Sequence, residues 1–341
     1  MPDHHAGAVT SIMTTLPNGF TVAEEHKIFD PRDAATGSHG VELLDATLAK
    51  RDRWWMFLAG QPGGSGATDL FCASLSPGAP LSSQGWKLMR DEEGHLIPLA
   101  GRDASSAWDG AGGRHCPCYV KGWEPHANRW VERIYYAGAA QNLWGPYAIG
   151  YLEWDGERWV DQAQPVFAAK TEWERGSVYE PSLIYFDGKW RLWYVAGSNQ
   201  QDYLVHGYAE SEDGRSNWSE HRIFAPAEMK MFDFCVRQRG DKFEAVYSRV
   251  SMTDSAPPET GLWWCTAKEP SSKLADWSQP VQIATAEDRG WHKGPWKLSL
   301  HYDDAQPDAG LVFFDGLYRT EDPGPFPFAF TLGCLRLSSV T

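Results

Sequence analysis

Apolar and aromatic residues in this chain come in short runs that alternate with polar positions and stop at Asp, Gly, Asn or Pro. That is the pattern of half-buried strands joined by tight turns. The clearest unit is Glu180-Pro181-Ser182-Leu183-Ile184-Tyr185, a turn at Asp187-Gly188, then Trp190-Arg191-Leu192-Trp193-Tyr194-Val195-Ala196-Gly197. Asp45-Ala46-Thr47-Leu48 followed by Trp54-Trp55-Met56-Phe57-Leu58-Ala59-Gly60 repeats it. So do Cys116-Pro117-Cys118-Tyr119 with Arg133-Ile134-Tyr135-Tyr136-Ala137-Gly138, and Asp233-Phe234-Cys235-Val236 with Phe243-Glu244-Ala245-Val246-Tyr247-Ser248. A third run and then a tryptophan (Trp86, Trp159, Trp218 or Trp277) complete each copy. Strand-built repeats of roughly 50 to 70 residues mark a β-propeller. The pattern predicts an all-β, five-bladed β-propeller of four-stranded antiparallel blades around a central axial pocket. One domain is expected, with blades at 41–105, 112–170, 176–228, 230–285 and 291–341. Residues 18–30 would complete the last blade and close the ring, removing an open sheet edge.

A propeller brings the first strand of every blade to one axis, so Asp45, Cys116, Glu180 and Asp233 should face a shared pocket. A formal charge of −14 over 341 residues argues against nucleic acid and anionic membranes, both of which call for Lys and Arg. No apolar run reaches the length of a membrane span. The segment Met1-Pro2-Asp3-His4-His5-Ala6-Gly7 has no basic or apolar leader character. The six cysteines show no disulfide-framework spacing, which predicts reduced, buried thiols. Together these features lead to an expectation of a cytoplasmic protein.

Asp45 opening blade one, Tyr179-Glu180-Pro181-Ser182 opening blade three and the Ser211-Glu212-Asp213-Gly214 turn before Trp218 carry a resemblance. The chain resembles the five-bladed propeller glycosidases, the arabinanase, xylosidase and invertase group with their relatives acting on β-mannosides. In that group three carboxylates converge on the axis in chain order Asp, Asp, Glu, as base or nucleophile, orienting group and general acid. The resemblance implies that Asp45 is the first of them. Glu180 and Asp233 fall where the second and third are expected, with their identities exchanged. Blade two offers His115-Cys116-Pro117 in place of an acid.

The chemistry can be argued independently. Cleaving a glycosidic bond needs one carboxyl kept protonated and one kept ionised on either side of the bond. A narrow funnel supplies both, because burial and like-charge repulsion raise one pKa. Acids that merely terminate strands have no reason to keep register across repeats. Glu180, with longer reach and the apolar flank Val178, Tyr179, Pro181 and Leu183, is the expected acid, Asp45 the base or nucleophile, and Asp233 the orienting carboxylate. Family order would instead make Asp233 the acid.

Trp108, Trp123, Trp144, Trp291 and Trp296 lie in less regular segments and are candidate platforms for sugar faces; the blade-end tryptophans are expected to pack between blades. His39, His115 and His292 each precede an innermost strand, and the latter two are candidates for substrate contact or proton transfer. Arg237 and Lys297 would either bind a substrate carboxylate or neutralise the acids. Cys116 and Cys118 hint weakly at a thiolate site. The glycine-rich 60–66 segment lacks the lysine and helix of a phosphate loop, and Asp303, Asp304 and Asp308 do not fit an EF-hand.

The function expected is that of a glycosidase-like enzyme on a small-molecule or oligosaccharide substrate, without a cofactor, an axial metal being left open. Two alternatives are a lyase, cyclase or isomerase using His115 or His292 with the acids, and a non-catalytic carbohydrate-binding propeller. Lectin propellers repeat their binding motif, whereas here the axial residues differ from blade to blade, which favours one site and an enzyme.

Overall fold

The computed structural model describes residues 20–62, 67–142, 144–198, 203–249, 260–287, 289–292, 294–303, 306–318 and 329–339. The N-terminal segment, residues 63–66 of the glycine-rich segment and Asp304 lie outside them. Five four-stranded antiparallel sheets form a ring, a five-bladed β-propeller. Blade one comprises β2 (Val41–Lys50), β3 (Trp54–Pro62), β4 (Asp69–Ser74) and β5 (Lys87–Leu88), in that order from the axis outward. Blade two comprises β6 (Gly113–Glu124), β7 (Arg129–Asn142), β8 (Gly145–Trp154) and β9 (Trp159–Asp161). Blade three has β10 (Val178–Phe186), β11 (Lys189–Ser198), β12 (Tyr203–Ser211) and β13 (Arg222–Ala225). Blade four has β14 (Cys235–Arg239), β15 (Lys242–Arg249), β16 (Gly261–Ala267) and β17 (Val281–Thr285). Blade five is built from both chain ends: β18 (Pro295–Asp303), β19 (Gln306–Tyr318), β20 (Ala329–Ser339), and outermost β1 (Phe20–Phe29) paired antiparallel to β20.

The core lies between the sheets. Leu58, Met56 and Phe71 of blade one meet Leu311, Phe313 and Leu332 of blade five. The blade-end tryptophans join these layers. Trp86 packs edge-on to Phe313 at 6.4 Å, and Trp159 to Phe57 at 5.2 Å. Each fully buried large side chain stabilises by about 1.5–3 kcal/mol, so the ring is held by its inter-blade layers while its innermost strands remain available for polar chemistry.

Candidate active site

The innermost strands share one irregularity. Between Leu44 and Thr47, His115 and Cys118, Tyr179 and Ser182, and Trp296 and Leu298, the inner strand gains a residue on its partner. The residue at that point adopts a left-handed backbone: Asp45 at φ 58°, Cys116 at 53°, Glu180 at 49° and Lys297 at 39°. Such a conformation costs a non-glycine residue about 1–3 kcal/mol, and four at one axis is strain concentrated where a site is built. Blade four gains its residue between the Met231–Arg249 bridge and the Cys235–Val246 pair. There the Asp233 carboxylate accepts the Ser248 amide at 2.8 Å and hydroxyl at 2.9 Å.

These bulges bring Asp45, Cys116, Glu180 and Lys297 into one buried cluster. Lys297 Nζ lies 2.9 Å from Asp45 Oδ1 and 2.9 Å from Glu180 Oε1, and donates to Cys116 Sγ at 3.5 Å. The second Asp45 oxygen accepts the Cys116 amide at 2.9 Å, and Asp233 Oδ2 accepts that of Leu298 at 2.6 Å. Two small spaces meet at this cluster. One, of about 30 Å³, is walled by Leu44, Tyr147, Tyr179, Phe232, Trp296 and Phe330, with His115, Cys116, Glu180 and Lys297 also lining it. The other, an axial channel of about 40 Å³, is lined by Asp45, Cys116, Glu180, Asp233 and Lys297 and runs past Cys118, Ser182, Cys235 and Arg237. Glu180, Cys116 and Lys297 border both and form the septum between them.

Burial opposes ionisation of Asp45, but the Lys297 ammonium and the Cys116 amide outweigh it and hold the carboxyl below its ordinary range. At Glu180 burial prevails over the same ammonium, the Asp45 charge adds to it, and the carboxyl rises to about 7. Burial likewise lifts Asp233 to about 6 against its hydrogen bonds from Ser248 and Leu298. Burial disfavours charge on Lys297, yet Asp45, Cys116 and Glu180 reverse this and fix it as a cation. Burial, then the two acids, pushes the Cys116 thiol well up. His115 approaches Thr68 Oγ1 at 3.0 Å and is driven down to about 4 by burial and then Lys297, so it is a neutral imidazole.

The structure therefore brings Asp45, Glu180, Asp233, His115, Arg237, Trp296 and Lys297 to the axial spaces and leaves the other candidates outside. His292 points to the outer strand of blade five, 2.9 Å from Glu25 Oε1, with Gly294 N donating to its other ring nitrogen. Trp291 packs on His292 and Phe314. Trp108 stacks on Tyr136 at 5.4 Å and covers Gly138 and Gly150 so closely that a Cβ there would come within 2.3 Å of its ring. Trp123 sits edge-on to Trp130, Trp144 lies in the β7–β8 turn with its amide on Asn142 Oδ1, and His39 is exposed before β2.

Sequence reasoning missed Asp315. It is buried on β19 opposite Trp296, and both its oxygens accept the Asp45 amide. The signal was present: Asp315 stands where the other copies carry Ala59, Ala137 and Val195. It also missed that Lys297 shares the register of the acids. One oxygen each of Asp45 and Glu180 and the Cys116 sulfur lie within 4.8 Å of one another, a possible donor set for a soft divalent ion. Lys297 already contacts all three, and the thiol resists deprotonation. These residues do not fit a metal while Lys297 stands there.

No protein-family profile matches the chain, and no curated protein matches it in sequence. Solved structures do. The catalytic domain of the Coprinopsis cinerea GH62 alpha-L-arabinofuranosidase aligns at TM-score 0.60 and 13% identity, over 96% of this chain and 100% of its own. An alpha-L-arabinofuranosidase from Podospora anserina, in complex with cellotriose, aligns at 0.55 and 14%, over 91% and 94%. Zg3597, a family 117 glycoside hydrolase from Zobellia galactanivorans, aligns at 0.57 and 13%, over 92% and 89%. At such identities the likeness establishes a shared fold, that of five-bladed propellers known as glycoside hydrolases.

Proposed function

We propose that the protein is a glycosidase-like enzyme acting at the axis on a sugar or sugar-like small molecule, free or as the end of an oligosaccharide. The carrying observation is that Asp45 and Glu180 contact the same ammonium yet their pKa values are driven in opposite directions. Glu180 would give its proton to the departing oxygen, and ionised Asp45 would act as nucleophile or base. Asp233, held by Ser248 and Leu298, would orient and tune the pair. The faces of Tyr179, Phe232, Trp296 and Phe330 suit the C–H surface of a sugar ring. The fold shared with proteins named glycoside hydrolases supports the reading, and it calls for no cofactor. Six free cysteines among the described residues support a cytoplasmic setting.

A panel of aryl glycosides and natural oligosaccharides tests the proposal. Asp45→Asn should abolish turnover on all of them, whereas Glu180→Gln should spare aryl glycosides, whose leaving groups need little protonation. If Asp233→Asn spares them and Glu180→Gln does not, Asp233 is the acid. A second reading, a non-hydrolytic enzyme on a small molecule, draws on Lys297 lying between the acids and on Cys116 holding an acid's register. It takes over if wild-type protein turns over no glycoside.

A further inference from the structure

The channel beyond the septum carries a charge that nothing answers. Arg237 lines it half-buried, makes no ion pair among the described residues, and donates to the carbonyl of its own neighbour Val236 at 2.9 Å. Ser182 lines the same channel, and its buried hydroxyl has no hydrogen-bond partner among the described residues. The neighbouring thiols are engaged, Cys118 accepting the Leu183 amide and Cys235 the Leu300 amide, each at 3.3 Å. Burial and the Arg237 charge keep His301, the equivalent position in blade five, from becoming a further cation. Below about pH 6, where Glu180 and Asp233 are protonated, the axis holds two cations, Lys297 and Arg237, against one ionised carboxylate, Asp45. An unpaired charge among partly buried side chains is costly, and an anion relieves it.

Size identifies the anion. A water needs roughly 10–15 Å³ of such space, so about 40 Å³ accommodates a small ion with one or two waters beside it. We propose that the axial channel is a binding site for a single small inorganic anion of the halide class, held by the Arg237 guanidinium and the Ser182 hydroxyl. The channel is bordered by the carboxylates of the sugar reading, but the groups that hold the anion are Arg237 and Ser182, so binding can be measured whether or not a glycoside is cleaved.

Bromide is the probe. Melting of the wild-type protein at pH 5 in potassium bromide, against potassium gluconate at equal ionic strength, should show a saturable rise in Tm. Arg237→Gln and Ser182→Ala should each reduce or remove that rise. Anomalous diffraction from bromide-soaked crystals should give one peak between these two side chains in the wild type and none in Arg237→Gln. Equal Tm in both salts, a halide effect unchanged in both variants, or a peak that persists in Arg237→Gln (an adventitious ion only) would each overturn the proposal.

Discussion

The carboxyl group of Asp315 receives the backbone amide of Asp45 on both oxygens, at 3.0 and 3.1 Å. Burial and then the Asp45 charge push its pKa well above the usual range, which favours the protonated acid, and it braces a strained residue. Asparagine keeps an acceptor oxygen in the same shape, so Asp315→Asn should retain most activity and stability. Asp315→Ala leaves the buried Asp45 amide unanswered, at about 1–3 kcal/mol, and should lower kcat with it. Chemical denaturation and turnover of the two variants check this; equal damage from both would show that the charge of Asp315, and not its oxygen, matters.

The rate should depend on pH in one direction. Glu180 titrates at about 7 and is useful while protonated, so turnover should fall as pH rises through that value. Asp45 is held below the ordinary carboxylate range, so the acidic limb should lie below about pH 4. Lys297 lowers the pKa of Glu180, and Lys297→Met should therefore move the alkaline limb upward. The same change leaves two buried acids without their cation and should cost about 3–5 kcal/mol. A pH–rate profile with a denaturation curve tests both; a limb that stays put would remove Lys297 from the control of Glu180.

Asp233 predicts an unusual stability profile. Its folded pKa of about 6 exceeds the ordinary 3.8, so the folded state binds the proton more tightly. The resulting stability is full below about pH 4 and lost as pH rises through 6. Two units correspond to about 3 kcal/mol. Between pH 4 and 7 the wild type should lose roughly this much relative to Asp233→Asn, whatever the absolute effect of that substitution. Parallel urea titrations at several pH values read the difference directly, and parallel slopes would contradict it.

If a glycoside is cleaved, the anomeric outcome follows from spacing. The nearest oxygens of Asp45 and Glu180 lie within 4.8 Å, nearer the roughly 5–5.5 Å of a retaining pair than the wider gap that admits a water. The first-formed product should keep the configuration of the substrate, as proton NMR within the first minutes would reveal. Inversion would mean that Asp233 is one of the two reacting carboxylates.

All six cysteines are free and buried, and burial pushes the thiols of Cys72 and Cys265 up to about 12 and that of Cys118 to about 11. Ellman's reagent should therefore find almost none of them in the native protein and all six in denaturant without reductant. Fast labelling of native Cys116 would show that the septum opens readily to solvent.

The propeller was legible because strand alternation, turn residues and the closing tryptophan recur in each copy, and local pattern is what fixes a blade. Asp45, Glu180 and Asp233 stood out as acids at one register beside apolar runs. Cys116 stood out at that register as well, whereas Lys297 occupies it unnoticed because an ammonium does not look like a member of a carboxylate series. Asp315 lay within an apolar second strand, where only comparison with Ala59, Ala137 and Val195 reveals it. His292 went astray because its partner, Glu25, belongs to a strand from the opposite chain end, which no local reading supplies. Trp108, Trp123, Trp144 and Trp291 show that aromatics outside regular strands can still serve packing.

The pairing of β1 with β20 joins residues as far apart as Thr21 and Ser338, a separation of 317 positions. A ribosome releases β1 on the order of tens of seconds before its partner exists. During synthesis four blades can assemble while the first strand waits unpaired, so the ring completes only once β20 has been made. A premature stop that removes β20 alone would thus free a strand at each end of the chain and leave an unsealed sheet edge prone to pairing with other chains. A permuted chain whose ends fall between blades one and two would instead make the closing blade contiguous, and should assemble faster with the same axis.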